Sequence, residues 1–197
     1  MISRLKGILL TRDPEMVEVE TAGGVVYQVE VPLTVLERLP TPGNPVELRT
    51  AQVVSESSAA LYGFIEEVER ALFRRLLTAP GVGPKMALGM MSAYRADRLA
   101  RALVEKDLAA LQQISGVGRK KAEKIVLELS DKVADLAVVI PGVTTAPGGA
   151  GAQEAVRALV ALGFSFADAD RAVRRALEDG ASGAAAEEIT RRALANR

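Results

Sequence analysis

The chain has 197 residues, 49% hydrophobic and 4% aromatic, with 25 basic and 25 acidic residues and no Cys, His or Trp. That composition supplies Leu, Val, Ile and Ala for folded cores, and it excludes disulfides, thiolate chemistry, zinc sites and a histidine base. The formal net charge of zero hides a split, since residues 1–69 carry −6, 70–132 carry +7 and 133–197 carry −1.

The opening Met1 to Lys6 is followed by only a short apolar stretch before Arg12. Neither a secretory signal nor a spanning helix is expected, and a cytoplasmic location follows. Residues 1 to about 64 read as short strands at Arg4–Leu10, Met16–Glu20, Gly24–Val31, Val46–Val54 and Ala59–Phe64. Alternation marks the second and third, as in Val25-Val26-Tyr27-Gln28-Val29-Glu30-Val31. Turns are expected at Asp13-Pro14 and Gly23-Gly24, and a short helical piece runs from Thr34 to Leu39 before Pro40. Five strands with a helix after the third is the layout of an OB-like barrel, with an unrelated small barrel or sandwich as the alternative.

From Glu66 the apolar period becomes helical, predicting helices near 66–78, 83–92, 96–104, 107–114 and 118–134. Gly81-Val82-Gly83 and Gly116-Val117-Gly118 stand 35 residues apart (116 minus 81), each between two such helices. Their surroundings repeat: Leu76 aligns with Leu111, Ala79 with Ile114, Lys85 with Lys120, Ala87 with Ala122 and Met91 with Val126. Glycine permits a tight reversal at positive φ and leaves the backbone bare. The helix that follows offers unpaired N–H groups and the positive end of its dipole, which suits a phosphate oxygen. Pro84 fits the first helical position, and cations stand beyond each turn at Lys85 and at Arg119, Lys120, Lys121 and Lys124. The positive block of the chain coincides with this pair of turns, where a polyanion would be gripped. Met86 and Lys121 occupy places where a dinucleotide fingerprint needs glycine, and no Gly-x4-Gly-Lys-Ser/Thr occurs.

Residues 134–152 break the helical period with Pro141-Gly142, Pro147-Gly148-Gly149 and Gly151, which reads as a flexible tether. Beyond it, Gln153–Leu162, Phe166–Leu177 and Ala185–Ala195 predict three short helices. The turn Leu162-Gly163-Phe164, followed by Phe166 and Ala167, is similar to that of ubiquitin-associated-type bundles, usually protein-binding units. The expected fold class is α+β and multidomain. Its parts are an OB-like barrel over 1–64, tandem hairpins over 65–134, a linker over 135–152 and a three-helix bundle over 153–197.

Each Gly-Val-Gly unit resembles a helix-hairpin-helix motif, a device for gripping the DNA backbone without reading sequence. The whole order resembles the bacterial Holliday-junction branch-migration proteins of the RuvA family. The resemblance is strongest in Met1-Ile2-Ser3-Arg4-Leu5-Lys6-Gly7, Leu61-Tyr62-Gly63-Phe64, Gly81 to Lys85 with Ala87, Gly116 to Glu123 and Ala158 to Phe164. It implies a non-catalytic homotetramer, one or two per junction, that holds a four-way DNA junction open and flat during recombination and repair in the SOS response. The implied DNA contacts are Gly81, Val82, Gly83, Pro84, Lys85, Gly116, Val117, Gly118, Arg119, Lys120, Lys121 and Lys124. The implied partners are the hexameric ATPase RuvB, met by the terminal bundle through Leu159, Leu162, Gly163 and Phe164, and the junction resolvase RuvC. ATP chemistry would belong to the partner, so no catalytic residue, cofactor or metal is expected.

The resemblance further implies an acidic pin between the last two barrel strands. Glu56 matches the first acid of the usual pair, and Ser57 stands where a second acid is often found. Two other functions remain open on the residues alone: a hairpin-docked nuclease or lyase, and a protein adaptor whose hairpins bind nothing. Valine at Gly83 or Gly118 is expected to block both positive φ and phosphate approach, and removal of 153–197 to spare DNA binding while abolishing motor coupling.

Overall fold

The computed structural model describes residues 1–55, 58–139, 149–164, 166–181 and 184–195. It divides into two compact units, Met1–Val133 and Ala134–Arg197.

The first unit begins with β1 (Arg4–Arg12), β2 (Met16–Glu20), β3 (Val26–Glu30), the one-turn helix α1 (Leu33–Leu36), β4 (Pro45–Val54) and β5 (Ala59–Phe64). These strands close a barrel in the order β1-β2-β3-β5-β4, which confirms the OB-like layout. All pairs are antiparallel except β3 with β5, which meet in parallel at Glu30 and Tyr62. Alternation sends Leu5, Leu9, Val17, Val19, Val29, Leu48 and Phe64 into the interior. A β-carbon on Gly7 would meet Glu20 O at 2.0 Å, so β1 and β2 pack closely only because position 7 lacks one. Thr50 is wholly buried and satisfies its hydroxyl on Ile2 O at 2.9 Å. α1 is shorter than the helix expected over Thr34 to Leu39. Its turn continues through tight bonds from Arg38 N to Val35 O and Leu39 N to Leu36 O.

Five helices follow in the same unit: α2 (Glu67–Leu76), α3 (Pro84–Ala93), α4 (Ala96–Val104), α5 (Leu108–Gln112) and α6 (Arg119–Leu129). Leu72, Phe73, Leu76, Met90, Leu99, Leu103, Leu111 and Ile125 form their buried face. Phe73 carries α2 onto the barrel, its ring 4.8 Å from that of Tyr62 and 5.1 Å from that of Phe64. Truncating such a ring to Ala costs about 3–5 kcal/mol, so this contact is a main joint between barrel and helices.

In the second unit, a short helix, α7 (Ala134–Val139), is followed by α8 (Gly149–Ala161), α9 (Phe166–Ala176) and α10 (Ala186–Ala195). The last three pack around Ala152, Ala155, Val156, Leu159, Val173 and Ile189. A π-turn at Leu177–Ala181 prolongs α9. The segment 135–152, expected to be a tether, is therefore helical at both described ends. α8 starts at Gly149, and Ala152 is wholly buried in the bundle. Residues 140–148 lie outside the described residues.

Candidate nucleic-acid interface

Each Gly-Val-Gly element is a tight turn between two helices, and the two turns are built alike. Val82 N donates to Ala79 O at 3.1 Å, as Val117 N does to Ile114 O at 3.0 Å. Ala87 N then donates to Gly83 O and Ala122 N to Gly118 O, both at 2.9 Å, which opens α3 and α6. The repeat seen in the sequence is a repeat in space, with Leu76 and Leu111, Ala79 and Ile114, Ala87 and Ala122, and Met91 and Val126 all buried.

Positive φ falls on the first glycine of each turn, +79° at Gly81 and +80° at Gly116. The second glycines, Gly83 and Gly118, are extended N-caps at φ −88° and −80°. The expectation that Gly83 and Gly118 need positive φ is therefore corrected: the chain reverses two residues earlier and has straightened by the time it enters the helix. A β-carbon at Gly81, Gly83 or Gly118 would meet nothing within 4 Å, so these positions face open space. On Gly116 it would lie 3.8 Å from Met86 Cε, which places the second turn beside the first helix turn of α3.

The bare donors lie where the turn becomes helix. Among the described residues, nothing accepts from the amides of Gly81, Gly83, Lys85 and Met86, nor from those of Gly116, Gly118, Arg119, Lys120 and Lys121. Pro84 has no N–H to leave unpaired. Val82 and Val117 differ from the others: their side chains are buried and their amides are used within the turn, so both shape the site from inside. Composition and spacing could not separate these valines from the residues around them, nor point to the amide of Met86.

The cations stand around these amides. Lys85, Arg119, Lys120 and Lys124 are exposed, and Lys121 is half-buried. Arg119 is partly neutralised by Glu123 at 3.1 Å, whereas the four lysines have no ion pair among the described residues. Lys85 also lines a groove of about 390 Å³ between barrel and α3 whose walls include Glu15 and Glu30. Two helix N-termini with free amides, backed by unpaired lysines, suit an extended anion with regularly spaced phosphates.

Glu56 and Ser57 lie outside the described residues. On either side of the β4–β5 connection, Ser55 N donates to Ser58 O at 2.8 Å and the two hydroxyls share a bond at 2.7 Å. In the terminal bundle Leu159 is 1% exposed and belongs to the core, which removes it from the candidate partner surface. Phe164 packs partly on the same core, while Leu162 stands 63% exposed. Gly163, at φ +94°, ends α8 with Phe164 N on Leu159 O and Gly163 N on Val160 O, a Schellman closure. Its role there is to stop the helix and to set Leu162 outward.

Among the described residues no three acidic side chains gather closely enough to hold a metal ion, and no helix is long and apolar enough to cross a membrane.

Comparison with known proteins matches residues 1–63 to the RuvA N terminal domain, 73–131 to the SAM-like helix-hairpin-helix tandem and 150–196 to the RuvA C-terminal domain. A Gemmatimonas aurantiaca protein named Holliday junction branch migration complex subunit RuvA is 49% identical over 171 residues, covering 87% of this chain and 86% of the relative. Relatives of the same name from Stutzerimonas stutzeri and Pseudomonas paraeruginosa are 44% and 42% identical, each spanning 87% of this chain and 88% of its own length. The barrel, the paired glycine turns and the terminal bundle thus fall within the matched segments, and the chain belongs to the RuvA family.

Proposed function

We propose that this protein is a non-catalytic DNA-binding subunit of a branch-migration complex, gripping the four arms of a Holliday junction as a homotetramer. The observation that carries this reading is the pair of like-built turns, whose free amides and unpaired lysines are offset by 35 residues in sequence and adjacent in space. Amide donors recognise phosphate without reading bases, so the affinity is for shape and charge. Four copies around a four-armed ligand would match its symmetry.

The relatives' shared name, Holliday junction branch migration complex subunit, supports membership of a branch-migration complex. On this reading the partner is the motor ATPase RuvB and the location the cytoplasm. The terminal unit, with Leu162 exposed at the α8–α9 turn, is the part assigned to that partner.

The test is titration of a labelled four-way junction and a linear duplex of the same composition, at several salt concentrations. The junction should bind more tightly, independently of sequence, with log K falling linearly in log[salt] by about 0.9 per phosphate neutralised. The mass of the complex should correspond to four or eight copies per junction. Equal affinity for junction and duplex would remove the structure-specific reading. Cleavage of the DNA with Mg²⁺ alone would remove the non-catalytic one.

A further inference from the structure

The geometry points to α1 of the barrel as a bracket that fixes the pose of the first hairpin, with Thr34 and Arg38 as its positioning residues. This inference rests on the proposed junction binding for its effect on DNA, but not for its effect on shape.

α1 touches both arms of the hairpin at the ends remote from the turn. On one side Thr34 Oγ1 donates to Met91 O at 2.7 Å, and Leu33 N donates to Ser92 Oγ at 3.0 Å. Met91 lies in the last turn of α3, where carbonyls lack partners inside the helix, so the barrel supplies the cap that the helix lacks. On the other side Arg38 reaches the start of α2. Its guanidinium bonds Glu66 Oε1 at 2.7 Å and also Glu69 Oε1. Glu69 in turn accepts from Glu66 N at 2.9 Å and Ile65 N at 3.1 Å, capping the free amides at that helix start.

The bracket is itself anchored. Arg38 Nε donates to Thr34 O at 3.1 Å, and Arg12 at the end of β1 donates to Leu36 O at 2.8 Å. Arg70 makes a parallel tie from α2 back to the barrel, donating to Ser3 O at 2.7 Å.

Leverage gives these contacts their importance. α2 and α3 have ten residues each, so the Gly81-Val82-Gly83 turn lies about 15 Å beyond the bracket. A tilt of about 5° there moves the turn by about 1 Å, a large part of a hydrogen-bond length. The second hairpin follows the first, because Met86 lies against Gly116 and Arg75 Nη1 donates to Lys132 O at 2.5 Å beyond α6. A linear duplex can settle on whatever pose a hairpin takes. A junction shared by several subunits cannot, because their barrels and arms must register together.

The test uses the full chain, whose lack of Cys permits labelling at Gln28→Cys on the barrel and Gln112→Cys on α5. Spin-label distances are compared in the otherwise unchanged protein and with Thr34→Val, Thr34→Ser or Arg38→Met. The distance distribution should broaden with Thr34→Val and Arg38→Met and stay narrow with Thr34→Ser, whose hydroxyl survives. Junction affinity should fall about tenfold in the first two while duplex affinity stays within twofold, at unchanged circular dichroism. A distribution that remains narrow in both Thr34→Val and Arg38→Met overturns the bracket. If the unsubstituted chain shows no preference for junctions, the functional reading fails, and the label distances still decide the bracket alone.

Discussion

The amide of Val82 donates to Ala79 O and that of Val117 to Ile114 O, so the two valines hold the same place in two copies of one turn. That equivalence separates the two glycines of each turn. Gly81 and Gly116 have φ near +80°, where a side chain strains the backbone by about 1–2 kcal/mol. Gly83 and Gly118 are extended, with open space beside them, so a side chain costs the fold little and, on the proposed reading, would meet an incoming phosphate. The strain at Gly81→Ala is offset in part by about 0.5–1 kcal/mol of unfolded-chain freedom lost with glycine, so this variant should lower stability by up to about 1 kcal/mol, and Gly83→Ala by less while still weakening junction binding several-fold. Thermal melts paired with titrations check both. The opposite order, with Gly83→Ala the less stable, would overturn the assignment of roles.

The lysines around α6 give a prediction in salt. Lys120 and Lys121 have no ion pair among the described residues, whereas Arg119 already leans on Glu123. Lys120→Glu with Lys121→Glu should lower junction affinity and reduce the slope of log K on log[salt] by about 0.9 for each phosphate no longer neutralised. Arg119→Gln should change the slope less. An unchanged slope in the double variant would take both lysines off the DNA-facing surface.

How much of this is legible in the sequence depends on how local each signal is. The barrel strands announce themselves by alternation within a few residues, and the hairpins by a repeat that survives as paired buried positions such as Leu76 and Leu111. The bracket is not legible, because Thr34 and Met91 stand 57 residues apart and a threonine in the first turn of a short helix has many possible partners. Gly-Val-Gly offers two candidates for positive φ, and only the backbone shows which takes it. Leu159 and Leu162 look alike in sequence, yet one is core and the other surface, because the Schellman closure at Gly163 ends the helix between their faces. Gly151 suggests a loose chain for a reason that packing overrides. A β-carbon there would meet Ala184 O at 2.9 Å, so the missing side chain serves close packing within the bundle rather than chain flexibility.

That packing changes where the chain should be cut. Removing residues 153–197 would leave Ala152 stripped of the core that buries it, whereas the first compact unit ends at Val133. A chain of residues 1–133 should keep its cooperative melt, its junction affinity and its salt slope, and lose stimulation of the ATPase partner. Circular dichroism, titration and an ATPase assay with added motor check this in turn. Retained stimulation would assign the terminal unit another task.

Glu69 should give the molecule a pH signature of its own. Burial, its largest influence, raises the carboxyl above the ordinary range, while the Glu66 and Ile65 amides and Arg38 pull it down. The folded state thus holds this proton to higher pH than the unfolded chain does. The group's contribution is full below the unfolded value and is lost as pH rises through the folded one. Glu69→Gln cannot titrate. Stability of the parent relative to Glu69→Gln, from urea unfolding between about pH 4 and about pH 8, should decline with rising pH and then level off. A difference that grows with pH would mean that Arg38 and the amides outweigh burial.

Lys106 is the one non-glycine residue at positive φ among the described residues, at +57°. It ends α4 as a glycine would in a Schellman closure, with Asp107 N on Ala102 O at 2.8 Å and its own amide on Leu103 O at 3.4 Å. Asp107 at once caps α5 by accepting from Ala110 N at 2.9 Å, so the chain has no slack in which to relax the lysine. A side chain in this region costs about 1–2 kcal/mol, and glycine gives back about 0.5–1 kcal/mol through the freedom of the unfolded chain. Lys106→Gly should therefore stabilise the first unit by up to about 1 kcal/mol, raising Tm by about 2–4 °C. Lys106→Ala keeps the β-carbon and removes the same charge, so it should show no gain. If the two variants melt together, the strain at position 106 is negligible and the lysine is held there at no cost.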